Sequence, residues 1–126
     1  MRNDKMRILI ADDERMLLKT MSFFLEKKGY SVVAAEDGEM AVNQIKQGNF
    51  DLIITDINMP YSNGMEIINI VRNELKLSIP VIVLTSVALE STALNAFGLG
   101  ASEFITKPFS LPVLAARIEN LLRRNN

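Results

Sequence analysis

The chain has 126 residues, 48% of them hydrophobic and 23% charged, with a formal net charge of −1; this is enough apolar material for one domain with a real core, and too little charge to draw the chain onto nucleic acid or an anionic membrane. It contains neither cysteine nor histidine, which excludes disulfides, thiolate and imidazole metal sites, a Cys nucleophile, His acid–base chemistry and a phosphohistidine-carrier role. No segment approaches the roughly 20 apolar residues of a membrane span, the first apolar run meets Asp12-Asp13-Glu14 where a secretory signal would continue, and the lack of cysteine suits the reducing cytoplasm.

Short apolar runs alternate with amphipathic stretches. Arg7-Ile8-Leu9-Ile10-Ala11 is β-branched, short and closed by Asp12-Asp13, so it reads as a strand. A helix over 14–28 follows, with Leu17, Leu18, Met21, Phe24 and Leu25 on one face and Gly29 as its stop. Residues 30–35 read as the second strand; Asp37 caps a helix that runs to about residue 47 and ends at Gly48. The third strand, 51–55, delivers Asp56, and the segment from Asn58 to Gly64 has turn chemistry. A third helix is predicted over 65–75, a fourth strand over 80–84 that delivers Thr85, and a weakly amphipathic helix over 88–97 ended by Gly98 and Gly100. The fifth strand, 102–106, delivers Lys107-Pro108; Ser110 then caps a helix to about 124, with Leu111, Leu114, Ala115, Ile118, Leu121 and Leu122 facing inward. Five strand–helix units with short connections predict an α/β fold, a single-domain (βα)5 doubly wound parallel sheet with right-handed crossovers.

Ligands of such sheets bind beyond the carboxyl ends of the strands. That edge is predicted to carry Asp12, Asp13, Asp56, Thr85 and Lys107. Three carboxylates in one pocket repel one another until a proton or a cation joins them. An all-oxygen donor set suits a hard ion, Mg²⁺ ahead of Ca²⁺, and not zinc. A carboxylate is also a nucleophile toward phosphorus, and the developing oxygen charge is met by Mg²⁺, an ammonium and a hydroxyl. Asp56 is the best nucleophile candidate, since Asp12 and Asp13 adjoin like a metal clamp; Lys107 would supply the ammonium and Thr85 the hydroxyl. Each residue alone has an ordinary explanation: Asp13 as a helix N-cap, Asp56 as a turn residue, Thr85 as a cap for the next helix, Lys107 as a surface cation. Their coincidence at four strand ends favours chemistry.

Asp12-Asp13, Asp56-Ile57-Asn58-Met59-Pro60 with Gly64, Thr85-Ser86, and Phe104-Ile105-Thr106-Lys107-Pro108-Phe109 resemble the bacterial response-regulator receiver domains, over nearly the whole chain. The resemblance implies a flavodoxin-like sheet of order 2-1-3-4-5 and one receiver domain over 1–126, with its core at about 6–124. It makes Asp56 the phosphoacceptor. It places Mg²⁺ on Asp13 and Asp56, with Asp12 partly through water and the Asn58 backbone carbonyl completing the protein ligands. Thr85 and Lys107 would hold the phosphoryl oxygens, Phe104 would move inward as Thr85 shifts, and Asn58 and Val87 would flank the phosphoryl group. A cis bond is implied at Lys107-Pro108. The partners implied are a sensor histidine kinase or a histidine phosphotransfer protein, and the output is a change in the surface of helix 4, strand 5 and helix 5. The chain would be a phosphoacceptor switch, not an enzyme acting on other substrates.

Three other readings are weaker. An Asp-nucleophile phosphatase of haloacid-dehalogenase type needs a second Asp two residues after the nucleophile, where this chain has Asn58, and a cap domain. A flavodoxin-like cofactor binder needs a Ser/Thr/Gly phosphate loop after strand one, where this chain has Asp12-Asp13-Glu14. A receiver that has lost phosphorylation usually lacks an acidic residue, the Thr or the Lys, and all are kept here. The last helix looks like those of receivers joined to winged-helix transcription factors, which often dimerise through salt bridges on the helix 4, strand 5 and helix 5 face. Glu103 and Arg117 match that pattern of homodimer contact, while Val113 stands where many members have Glu. No DNA-reading element lies within these residues, so either a free-standing protein or the regulatory part of a longer one is expected.

Overall fold

Successive strand residues point to opposite faces of a sheet. A strand covered by helices on both sides must therefore be apolar throughout. The computed structural model, which describes residues 5–59, 63–86 and 89–124, builds this arrangement. The strands β1 (Arg7–Ala11), β2 (Ser31–Ala35), β3 (Leu52–Asp56), β4 (Val81–Thr85) and β5 (Glu103–Thr106) pair in parallel in the order 2-1-3-4-5. Every residue of β3 and β4 is buried.

The two faces divide the core by parity. Ile8, Ile10, Leu52, Ile54, Ile82 and Leu84 pack against α1 (Arg15–Lys27) and α5 (Leu111–Arg124) through Leu18, Met21, Leu25, Leu114 and Ile118. Leu9, Ala11, Ile53, Val81 and Val83 face the other way. They meet α2 (Gly38–Gln47), α3 (Gly64–Asn69) and α4 (Glu90–Leu99) through Ala41, Ile45, Ile67, Ile68 and Ala96. Each buried Leu or Ile contributes about 1.5–3 kcal/mol. Of the inward faces predicted for α1 and α5, Leu17, Phe24, Leu111 and Ala115 are only partly buried and rim the layer that α1 and α5 form on the sheet.

Local signals hold the elements in place. Asp37 accepts from Met40 N–H at 2.8 Å and caps α2. Ser110 Oγ accepts from Val113 N–H at 3.3 Å and caps α5. Asn63, within a stretch read as turn, caps α3 through Glu66 N–H at 3.0 Å. The residue before α1 is Glu14, with no side-chain cap, so Asp13 is not the N-cap it resembles in sequence. The helix predicted over 88–97 is observed at Glu90–Leu99; Gly98 lies inside it and Gly100 ends it in the left-handed region at φ 113°. Val87 lies outside the described residues.

The third helix departs most from expectation. After Asn69 it widens into a π-helical turn, Ile70–Glu74, in which Leu75 N–H donates to Ile70 C=O at 2.8 Å. This turn carries Arg72, whose Nε donates to Gly100 C=O at 3.0 Å and whose NH1 donates to Leu77 C=O at 2.9 Å and Ile79 C=O at 2.7 Å. One guanidinium thus ties the α3–β4 connection to the C-terminal end of α4, and burial pushes its pKa below the ordinary value.

Arg72→Ala strips donors from three carbonyls and is expected to cost about 2 kcal/mol in chemical denaturation, with hydrogen exchange faster at Gly100 and Ala101 than in β1. Gly64 opens α3 directly against the site, and a Cβ there would stand 2.6 Å from Asp56 O and 3.0 Å from Ile57 Cα. Gly64→Ala is therefore expected to destabilise by about 1–3 kcal/mol and to shift the amide resonances of Asp56 and Ile57.

Candidate functional site

Parallel register brings the ends of β1, β3, β4 and β5 to one edge. Asp12 follows β1, and its backbone N–H still donates to Ala35 C=O of β2 at 3.1 Å, which fixes the turn into α1. Asp12 Oδ1 accepts from Glu14 N–H at 2.9 Å. Asp56 is the last residue of β3 and is 6% exposed. Its Oδ1 has a long contact of 3.4 Å from Asn58 N–H. Thr55 Oγ1 donates to the Asp56 carbonyl at 3.0 Å, and Gly64 N–H donates to the next carbonyl, that of Ile57, at 2.8 Å.

Thr85 ends β4 and is buried. It stays within the strand, and the residue before α4 is Leu89, so Thr85 is no cap for that helix. Its carbonyl accepts from Lys107 N–H at 2.7 Å, which locks the end of β4 to the residue after β5. The Lys107-Pro108 bond is cis. Lys107 Nζ stands 2.9 Å from Asp12 Oδ2, 3.2 Å from Asp56 Oδ2 and 3.5 Å from Glu14 Oε2. Lys107, far from being a surface cation, has a side chain only 10% exposed.

The electrostatics are unbalanced. Burial, and then the charge of Asp12, push the Asp56 carboxyl above its ordinary range, against the pull of Lys107. For Lys107, burial alone works against the ammonium, but its close contacts with the carboxylates of Asp12 and Asp56 outweigh it and raise the pKa. The contact with Asp56 has hydrogen-bond geometry, whereas that with Asp12 is a charge contact without an aligned donor. Asp12 Oδ2 is thus buried with no hydrogen-bond partner among the described residues. Carboxylate oxygens of Asp12, Asp13 and Asp56 lie within 4.8 Å of one another. That spacing, with an orphaned buried oxygen among them, fits a small hard cation.

Asp12, Asp13, Asp56, Thr85 and Lys107 therefore meet at one edge, as their strand-end positions predict. Asn58 joins through its backbone, with its side chain exposed. Phe104 is set apart: it is half-buried on β5, with its ring 6.4 Å from that of Phe97 on α4. Glu14 is the participant that sequence reading missed. Its acidity was plain, but its contact with Lys107 depends on where the β5–α5 turn sets the ammonium.

A family model, the response regulator receiver domain, matches residues 8–119. Response regulator GtcR of Aneurinibacillus migulanus is 44% identical over 117 residues, 93% of this chain and 48% of that protein. The phosphate regulon transcriptional regulatory protein PhoB of Klebsiella pneumoniae is 38% identical over 94% of this chain and 52% of that protein. The chain thus spans about half the length of the curated relatives it matches. Among solved structures, the receiver domain of the Francisella response regulator 1452 superposes with a TM-score of 0.91 at 29% identity, covering 97% of this chain and 100% of that one. The non-phosphorylated HemR receiver domain of Leptospira biflexa superposes with a TM-score of 0.87 at 34% identity, covering 94% of each. With the family model spanning most of its length and these relatives covering nearly all of it, the chain belongs to the response regulator receiver domains of two-component signalling, phosphoacceptor switches rather than enzymes.

Proposed function

We propose that Asp56 is the phosphoacceptor and that Thr85, Lys107 and Phe104 convert its phosphorylation into a surface change. The observation that carries this reading is the single ammonium of Lys107 shared between the buried carboxylates of Asp12 and Asp56. An Asp56 oxygen attacks phosphorus, and the product carries about −2 charge. Lys107, already beside Asp56, pairs with the incoming phosphoryl oxygens, and the Thr85 hydroxyl donates to one of them. Asp12, Asp13, Asp56 and the Asn58 carbonyl would hold Mg²⁺, which neutralises phosphoryl oxygen charge when bound.

Because Thr85 and Lys107 are joined through the backbone, a pull on either is felt by both. Phe104 packs on Phe97, so its movement inward would change how α4 sits on β5. Phosphorylation need only bias an equilibrium between two such arrangements. Glu103 and Arg117 pair with each other within the chain; a homodimer joined by these residues would exchange that internal bridge for one between copies.

The phosphoryl source is a histidine kinase or a histidine phosphotransfer protein. Relatives named as transcriptional regulators are about twice as long. Residues 1–126 are thus one receiver domain, whose DNA-directed output would belong to an attached effector domain and not to this chain. Among the described residues no helix is long and apolar enough to cross a membrane, which fits a cytoplasmic site of action.

Incubation with acetyl phosphate and Mg²⁺ is expected to add one phosphoryl group by intact mass, and neither Asp56→Asn nor chelated wild type should gain it. Gain by Asp56→Asn would move the acceptor elsewhere. Stability supplies a second check. Since the folded-state pKa of Asp56 is raised, its contribution to stability is present below the unfolded carboxylate pKa and lost as pH rises through the folded value. Without Mg²⁺, Asp56→Asn is expected to melt above wild type near neutrality, and the gap should close as pH falls toward roughly 4. Added Mg²⁺ should raise the wild-type melting temperature more than that of the variant.

A further inference from the structure

Lys107 Nζ faces three carboxylates, and the third is not part of the acidic triad. Glu14 Oε2 lies 3.5 Å from it on a side chain that is 59% exposed. The Glu14 backbone is fixed, since its N–H donates to Asp12 Oδ1 at 2.9 Å and its carbonyl accepts from Leu18 N–H at 2.9 Å. Its side chain stands at the N-cap position yet makes no cap bond. Instead it lines, with Leu17, Ser86, Lys107, Pro108 and Phe109, an open depression of about 380 Å³ beside the ammonium. Among the described residues Glu14 is the one carboxylate of that lining. A phosphodonor held by the Lys107 ammonium would lie beside this carboxylate.

We propose that Glu14 is a specificity-determining residue that discriminates between phosphodonors by the charge of their leaving group. The proposal rests on Asp56 being the phosphoacceptor. In the transfer, an Asp56 carboxylate oxygen forms a bond to phosphorus while the bond to the leaving group breaks. Acetyl phosphate releases acetate, which departs with the bonding pair and gains negative charge. Phosphoramidate carries a protonated nitrogen and releases neutral ammonia. A fixed anion at the mouth opposes the first departure and attracts the second donor as it arrives. Glu14 also occupies one side of Lys107 until phosphoryl oxygens displace it.

The test compares second-order rate constants for mass gain with acetyl phosphate and with phosphoramidate, both with saturating Mg²⁺. Glu14→Gln keeps the size and lacks the charge. Its ratio of acetyl phosphate rate to phosphoramidate rate is expected to rise about two- to tenfold over wild type, and Glu14→Arg should move it further the same way. Raising ionic strength should shrink the difference between wild type and Glu14→Gln. The Mg²⁺ concentration that gives half the thermal stabilisation should change less than about twofold, since Glu14 lies outside the triad. Equal rate changes for both donors, or a shift in the Mg²⁺ midpoint of the same size as the rate change, would overturn the proposal. Wild type gaining mass from neither donor, or Asp56→Asn gaining it from both, would instead overturn the acceptor assignment beneath it.

Discussion

One ammonium set among three carboxylates is the constraint on which the site depends. Asp12 is wholly buried and Asp56 nearly so, and ionised groups are rarely buried without partners. Lys107 satisfies each in part, Glu14 draws on it from the solvent side, and Asp12 Oδ2 is left without an aligned donor. The pocket is therefore built for more positive charge than its own residues supply. The sheet beneath makes this tolerable. Apolar β3 and β4 are packed on both faces, and they hold the strand-end groups where side chains free to move would separate.

Much of this was legible in sequence, because the fold and the site obey the same rule. A short apolar strand covered on both faces changes abruptly to polar residues where it leaves the core, so Asp12, Asp56, Thr85 and Lys107 mark both strand ends and pocket. Asp37, Gly48 and Ser110 were equally readable, since capping depends on neighbours one to four residues away. The π turn at Ile70–Glu74 was not, because nothing in its periodicity differs from an ordinary helix. Its partners, at Leu77, Ile79 and Gly100, lie in segments whose approach only the tertiary structure determines. The same holds for Glu14 and Lys107, which meet only because α1 and the β5–α5 turn adjoin. The ordinary alternative offered for Asp13, an N-cap for the first helix, is not what the structure forms. Its sequence suits a cap, but three residues, Asp12 to Glu14, separate β1 from the helix, and the cap position falls on Glu14.

The switch reading gains force from the unequal holding of the helices. α1 and α5 bury broad apolar faces, whereas α4 contributes Ala96 as its buried hydrophobic residue and leaves Leu94, Phe97 and Leu99 exposed. Elements with few buried contacts are those that rearrange at small cost. Phe104 and Phe97 make an aromatic contact between this lightly held helix and the strand that leads to Lys107.

The Arg72 staple gives that helix a mechanical character. It fastens the C-terminal end of α4 through the Gly100 carbonyl, while the N-terminal end begins at an exposed Leu89 without a side-chain cap. A rod fixed at one end swings; it does not slide. α4 is about 15 Å long at 1.5 Å per residue, so a displacement of about 2 Å at its free end is a rotation of roughly 8° about the pinned one. Side chains near Gly100 would keep their neighbours through such a motion, and those toward Leu89 would sweep the widest arc.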